Sequence, residues 1–255
     1  MLLPEFVEIR TEPEEEKPEL DVPFELLDLN LLKPHEELDP NELEAFIESV
    51  TGSGIFWKAA LVSKEGYVIL DGHHRWAGLK KLNAKVMPCI LLDYVNNPEV
   101  KVYTWYPFII GSLNHLIDVL KNIEEIELIY ESNKDTVVEK VESMEAAFGL
   151  IHSDTNKKFI LIAGDDDPYD LQKIIIKHLI NDQKIQLGYI DTIKGAEELL
   201  VQGKAVAYFV RRAPKKKEIV ERASKGKVYP PKTTRHSLPF VPKKIHISLE
   251  KLINP

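Results

Sequence analysis

Five consecutive residues, Asp71-Gly72-His73-His74-Arg75, put a carboxylate, two imidazoles and a guanidinium at one point of the chain. The preceding Tyr67-Val-Ile-Leu70 is strand-like, and Trp76, Leu79 and Leu82 then recur at helical spacing, so the five residues fall at a strand-to-helix junction. The first N–H groups of such a helix lack intrahelical partners, and its dipole adds partial positive charge, which together favour an anion. Gly72 lets the backbone come close to a ligand. His73, His74 and Arg75 add side-chain donors, and Arg75 can grip phosphate through two N–H groups. Asp71, at the strand end, suits an oxygen ligand of Mg²⁺. The chemistry these types imply is phosphate binding and phosphoryl transfer. Two other readings stand beside it. Asp71 can be a helix cap with the histidines packed inside, or the histidines can be a zinc pair, although adjacent histidines diverge and no cysteine or third ligand is near.

The elements that must position this junction can be traced along the chain. Glu25–Leu29 alternates like a strand, and Leu32-Lys-Pro-His-Glu36 reads as a loop because Pro34 disfavours a helical Lys33. Asp39-Pro40 is a helix N-cap and first turn, followed by Leu43, Phe46, Ile47 and Val50 on one face. Thr51-Gly-Ser-Gly54 reads as a flexible loop closing that helix. Strands are expected at Ala59–Val62, Tyr67–Leu70 and Lys85–Leu92, with a short extended piece at Val100–Trp105. From Phe108 helix and strand alternate: a helix capped by Ser112, strands at Glu125–Tyr130 and Lys158–Ala163, and a helix opened by Asp167-Pro168. A strand at Ile185–Ile190, a helix capped by Asp191 and a strand at Ala205–Val210 follow, which reads as a second α/β subdomain. Asp165-Asp-Asp167 is read as turn and cap residues, and His178 as a helix residue. Pro214 starts a basic helix, and Val228–Phe240 is a Pro-rich loop. Residues 1–24, acidic and Pro-rich without apolar period, read as a flexible tail.

Composition narrows the classes. The 255 residues, 44% hydrophobic, can bury a sizeable core in one large or two small domains. No apolar run reaches the roughly 18 residues of a membrane helix, and the acidic start is unlike a signal peptide. The single cysteine, Cys89, excludes an internal disulfide and a Cys-based zinc site, and its apolar surroundings predict a buried inert thiol. A cytoplasmic address is the default. A net charge of −8 opposes non-specific nucleic-acid binding, although Arg211 to Lys244 is locally basic. Scarce Gln beside abundant Glu and Lys is a bias of hyperthermophiles.

Asp71-Gly-His-His-Arg75 in a strand-to-helix turn resembles the phosphate motif of the ParB/sulfiredoxin-like superfamily. With Val50-Thr-Gly-Ser-Gly-Ile-Phe-Trp-Lys58, Lys101-Val-Tyr-Thr-Trp-Tyr-Pro107, Pro231-Lys-Thr-Thr-Arg-His-Ser-Leu-Pro-Phe240 and Lys33-Pro-His-Glu36, the chain is similar to archaeal free serine kinases from about residue 25 to 253, loosely so between 110 and 210. The resemblance implies an α+β/α/β fold: a ParB/sulfiredoxin-like domain at 25–107, then a smaller α/β domain at 108–255 whose loop 231–240 returns to the active site. It implies transfer of a phosphoryl group from ATP or ADP, with Mg²⁺, to the hydroxyl of L-serine, giving O-phosphoserine for cysteine synthesis. Glu36 becomes the base. Taken alone, it reads as a solvated loop carboxylate. Thr51, Gly52, Ser53, Gly54, Gly72, His73, His74 and Arg75 would hold the nucleotide phosphates. Trp105 would cover the substrate, and Lys232, Thr233, Thr234, Arg235 and His236 would hold serine or phosphoserine, with Arg235 on the carboxylate or phosphate. A DNA-binding nucleotide switch of the ParB kind is disfavoured because an α/β pattern and net acidity follow the motif. A sulfiredoxin would need a cysteine where His74 stands. A nuclease or a regulatory module without turnover would not need Glu36. Serine and a nucleotide are the expected partners, with no membrane and no stable nucleic acid.

Overall fold

The computed structural model describes residues 7–11, 16–154 and 156–255. By contact density the chain forms two compact units, one containing Thr104–Ala213 with the described residues 7–11, the other containing 16–103 with Pro214–Pro255. The expected boundaries change accordingly. Residues 214–255 belong with the first half of the chain rather than with a second domain. Part of the presumed tail is also structured. Val7–Ile9 is a strand parallel to Gln186–Ile190, and Glu19–Leu20 pairs with Val241–Pro242. The rest of that tail, residues 1–6 and 12–15, lies outside the described residues. Among the described residues no helix is long and apolar enough to cross a membrane.

The unit built on 104–213 is a seven-stranded sheet in the order Val7–Ile9, Gln186–Ile190, Tyr106–Ile110, Ala207–Val210, Phe148–His152, Phe159–Ala163, Glu127–Glu131. Strand residues alternate between two cores. Ile109, Leu150, Ile160, Ile162, Leu187 and Phe209 meet Leu116, Leu120, Ile175 and Leu179 from helices Leu113–Lys121 and Pro168–Asn181. Phe108, Ile151, Leu161, Tyr208 and Val210 meet Val137, Val141, Ala196 and Leu199 from helices Lys134–Glu142 and Ile193–Val201. Helices on both faces make both residue sets of the central strands apolar, as in Phe148–His152 and Ala207–Val210. The cap of the Ile193–Val201 helix is Thr192, not Asp191 as expected; the Asp191 carboxylate instead accepts from the backbone and hydroxyl of Thr11.

The other unit carries a four-stranded sheet in the order Glu25–Asp28, Val86–Leu92, Ala60–Ser63, Ile69–Asp71. Two helices pack beside it, α1 (Pro40–Ser53) and α2 (His73–Lys81). Val50, Phe56, Val62, Ile69, Leu79 and Met87 form its core. Cys89 is fully buried in the same core, where burial pushes its thiol up to about 12. The C-terminal return is the strand Arg235–Ser237, antiparallel to Lys101–Tyr103, together with a bridge between Glu36 and Tyr229. Within the expected Pro-rich loop, therefore, part of 228–240 is strand.

Candidate active site

The strand Ile69–Asp71 turns through Gly72 into α2 as expected. Gly72 has φ +112°, a region costly for any residue with a Cβ, and an added Cβ would lie 2.9 Å from Arg75 Nη2. No side chain caps the helix here, so the first-turn N–H groups point outward without a capping acceptor. Asp71 Oδ2 is held by Lys58 Nζ at 3.0 Å and by Arg75 Nη2 at 2.9 Å. Burial opposes the ionisation of Asp71, but the Arg75 and Lys58 charges outweigh it and hold the carboxyl well below the usual range. Arg75 also donates to the Lys58 carbonyl. The turn is thus a braced mouth with two cations beside an uncapped helix start.

Each of the two motif histidines turns Nε2 toward the backbone of the loop that carries Glu36. The Asp39 N–H donates to His74 Nε2 at 3.0 Å, which leaves the proton on Nδ1, 3.0 Å from Glu42 Oε2. His74 hydrogen bonding, outweighing burial, holds Glu42 down to about 2, with Lys232 assisting. The His35 N–H similarly donates to His73 Nε2. Burial first, then neighbouring His35, keep His73 well below its ordinary value. Both imidazoles spend their acceptor nitrogen on the backbone of the loop that carries Glu36.

Thr51–Gly54 is not a flexible loop. Thr51–Ser53 complete α1, with their hydroxyls donating to the carbonyls of Ile47 and Ser49. Gly54 caps the helix in the left-handed region, φ +66°, its N–H donating to Val50 O. A helix C-terminus presents carbonyls, so the reason for placing phosphate on Thr51, Gly52, Ser53 and Gly54 does not hold.

Glu36 is brought onto the C-terminal return. Its Oε1 accepts the Lys232 N–H at 2.6 Å, and its Oε2 accepts the Thr234 N–H at 3.0 Å and the Thr234 hydroxyl at 2.7 Å. Lys232 adopts φ +59°, a conformation uncommon for a residue with a side chain, and it aims that N–H at the carboxylate. Lys232 Nζ reaches Glu42 Oε1. Thr233 is fully buried and its hydroxyl donates to Pro230 O. The Arg235 guanidinium lies 4.9 Å from the Tyr103 ring centroid. His236 Nε2 lies 2.7 Å from the Tyr94 hydroxyl, and burial pushes its ring down to about 3. Trp105 belongs to the other unit, where it is 5% exposed within the core, with Arg10 over its ring and Arg211 Nε donating to its carbonyl.

Sequence reasoning placed Glu36, Asp71, Arg75 and the 232–236 stretch in one site, and the structure collects them in one unit. It missed His35, Lys58, Glu42 and Tyr94. His35 stood in the quoted Lys33-Pro-His-Glu36 block. Lys58 likewise closed the quoted Val50–Lys58 block, while Glu42 and Tyr94 carried no local signal, their partners His74 and His236 lying far along the chain.

Known proteins share this two-part layout. Residues 104–211 match the family model of the L-serine kinase SerK C-terminal domain, and residues 10–105 match the ParB N-terminal domain. An ADP-dependent L-serine kinase SerK of Thermococcus kodakarensis is 43% identical over 93% of this chain and 98% of its own length. An ATP-dependent L-serine kinase of Staphylothermus marinus is 35% identical over 89% and 90%. A solved free serine kinase in complex with AMP superposes with a TM-score of 0.86, at 44% identity, over 96% of this chain and 99% of that one. The expected ParB/sulfiredoxin-like part and its α/β companion are therefore both present.

Proposed function

The chain belongs to the L-serine kinase family, and from that premise we propose that it transfers a phosphoryl group from a nucleotide to the hydroxyl of free L-serine, giving O-phospho-L-serine. The observation that carries the reading is Glu36, a carboxylate braced on the same unit as the Asp71–Arg75 turn. Glu36 takes the serine proton as the oxygen attacks phosphorus, a contribution of about 10²–10⁴-fold for a well-placed base. The N–H groups opening α2, with Lys58 and Arg75, hold and neutralise the donor phosphates. Phosphoryl transfer asks mainly for such positioning and charge stabilisation. Arg235, the most versatile anion partner on the return strand, takes the serine carboxylate or the new phosphate. Trp105 acts as a core residue.

Mg²⁺ fits the residues present in a limited way. No group of three or more potential ligands exists among the described residues, and Asp71 is the ionised carboxylate at the turn. One protein oxygen completed by donor phosphates and water is the usual Mg²⁺ arrangement. The ion would add charge neutralisation at the transferred group. Higher identity to the ADP-dependent relative favours ADP as donor, with AMP as the other product. The product ester carries a leaving group fit for later replacement by sulfur, and cysteine synthesis in the cytoplasm is the use we assign to it.

The test is direct. Purified protein with L-serine, Mg²⁺ and ADP or ATP should yield O-phosphoserine, measured by mass spectrometry. Product from none of AMP, ADP, ATP and pyrophosphate defeats the proposal. Glu36→Gln should lower turnover by about 10²-fold or more while AMP binding is retained. Because a ParB-type module covers 10–105, DNA retardation at near-physiological salt is the companion assay, and tight sequence-specific binding would favour a DNA-bound switch instead.

A further inference from the structure

Behind Glu36 lies a buried chain of proton-carrying groups. His35 is completely buried. Its Nδ1 is 2.5 Å from the Ile69 carbonyl, which can only accept, so Nδ1 carries a proton. Its Nε2 is 2.8 Å from Thr234 Oγ1, and that same oxygen is 2.7 Å from Glu36 Oε2. A threonine hydroxyl has one proton to give. It can satisfy His35 Nε2 or Glu36 Oε2, but not both. When it faces Glu36, the unprotonated Nε2 is left against an oxygen lone pair. When it faces Nε2, Oγ1 turns a lone pair toward Glu36. Both contacts become favourable at once when one additional proton enters the chain, resting on Glu36 or on His35.

We propose that Thr234 and His35 form a proton relay behind Glu36, accepting the proton that Glu36 removes from the substrate hydroxyl. The inference rests on the reading of Glu36 as the base. The substrate O–H bond breaks as its oxygen forms the bond to phosphorus, and the nucleotide leaves with the electron pair of the broken P–O bond. Glu36 holds the proton and passes it to Thr234 Oγ1, whose own proton moves to His35 Nε2. After product leaves, the steps reverse and the proton departs to solvent. His35 is thereby a proton-accepting positioning residue that never touches substrate.

The surroundings suit a neutral acceptor that is charged only transiently. The His73 ring lies edge-on to His35 at 4.6 Å, the His236 ring at 5.5 Å and the Tyr229 ring at 6.4 Å. Burial, partly offset by the Ile69 bond, holds His35 down to about 4, so it rests unprotonated near neutral pH. Lys232, whose backbone N–H grips Glu36, turns its ammonium to Glu42 on α1. Arg222 stacks over Tyr229 at 4.9 Å.

Thr234→Val keeps the shape and removes the hydroxyl, and Thr234→Ser restores it. Single-turnover phosphorylation of L-serine, by rapid quench in H₂O–D₂O mixtures, is the measurement. The unmodified protein should show a curved proton inventory, with more than one proton in flight. Thr234→Val should be slower by about 10-fold or more with a linear inventory and unchanged KM for serine, and Thr234→Ser should recover rate and curvature. His35→Gln, checked for folding by circular dichroism, should match Thr234→Val. Glu36→Gln separates the layers. If it is inactive while Thr234→Val keeps the normal rate, or the unmodified inventory is linear, the relay is wrong and the base stands. If Glu36→Gln is fully active, the base reading itself falls.

Discussion

At the scale of single residues, each motif histidine uses one ring nitrogen as an acceptor. Each takes a backbone N–H from the Pro34–Asp39 segment, His73 from His35 and His74 from Asp39. Protonation of either would replace an attraction with two opposed donors. His74→Ala should therefore act on stability. It strips the acceptor from a largely buried N–H and the donor from Glu42, a loss of about 1–3 kcal/mol, measurable by urea unfolding. Nucleotide affinity by calorimetry should change little. A stable variant that binds nucleotide poorly would return His74 to the phosphate. Arg75 and Asp71 contrast with the histidines because their charges face each other across a mouth, with Asp71 42% exposed, where a phosphate can compete with Asp71 for Arg75.

At the scale of elements, the phosphate mouth depends on how α2 sits against α1. A Cβ at Gly78 would come within 2.4 Å of the Phe46 ring, so the helices approach at the closest distance a hydrogen allows. Gly78→Ala gains helix propensity, about 1 kcal/mol, and loses packing by about 1–3 kcal/mol. Because α2 carries its N-terminus with it, the variant should also bind AMP several-fold more weakly. Normal stability together with normal AMP affinity would show that Phe46 simply moves aside. Most elements here were readable from local pattern: the Asp39-Pro40 cap, the apolar face of α1 and the turn at Gly72 each need only neighbours in sequence. Thr51–Gly54 was misread because Gly and Ser serve both loops and helix ends, and only the φ of Gly54 with the back-bonded hydroxyls tells them apart. The helix Lys134–Glu142 escaped notice because only Val137 and Val141 of it are buried, too narrow an apolar stripe to stand out. The pairing of Arg235 with Tyr103 and the grip of Lys232 and Thr234 on Glu36 join residues more than a hundred positions apart. No periodicity encodes such a contact; for Glu36 only family resemblance pointed to it.

At the scale of the whole molecule, the histidines that frame the site must leave a mark on global stability. His35 is buried and His236 half-buried, and both are neutral, held down to about 4 and about 3 from an ordinary 6.5, chiefly by loss of solvent around the rings. Both folded values lie below the unfolded one. Above pH 6.5 neither state is protonated and the stability they permit is complete. As pH falls below that value the unfolded chain binds protons that the native chain refuses, so unfolding is favoured. The loss continues to about 4 for His35 and about 3 for His236. Each group contributes a slope of about 1.4 kcal/mol per pH unit within its window. Glu42 acts in a separate, lower window, since its depressed value means its contribution is lost only between 4.5 and about 2. Urea unfolding between about pH 7 and 4.5 should thus show stability falling with acid before the carboxylates titrate. His236→Gln keeps a partner for the Tyr94 hydroxyl but cannot titrate, so its profile should be flatter by about one proton. An unchanged slope in that variant would mean that His236 does not carry the acid sensitivity.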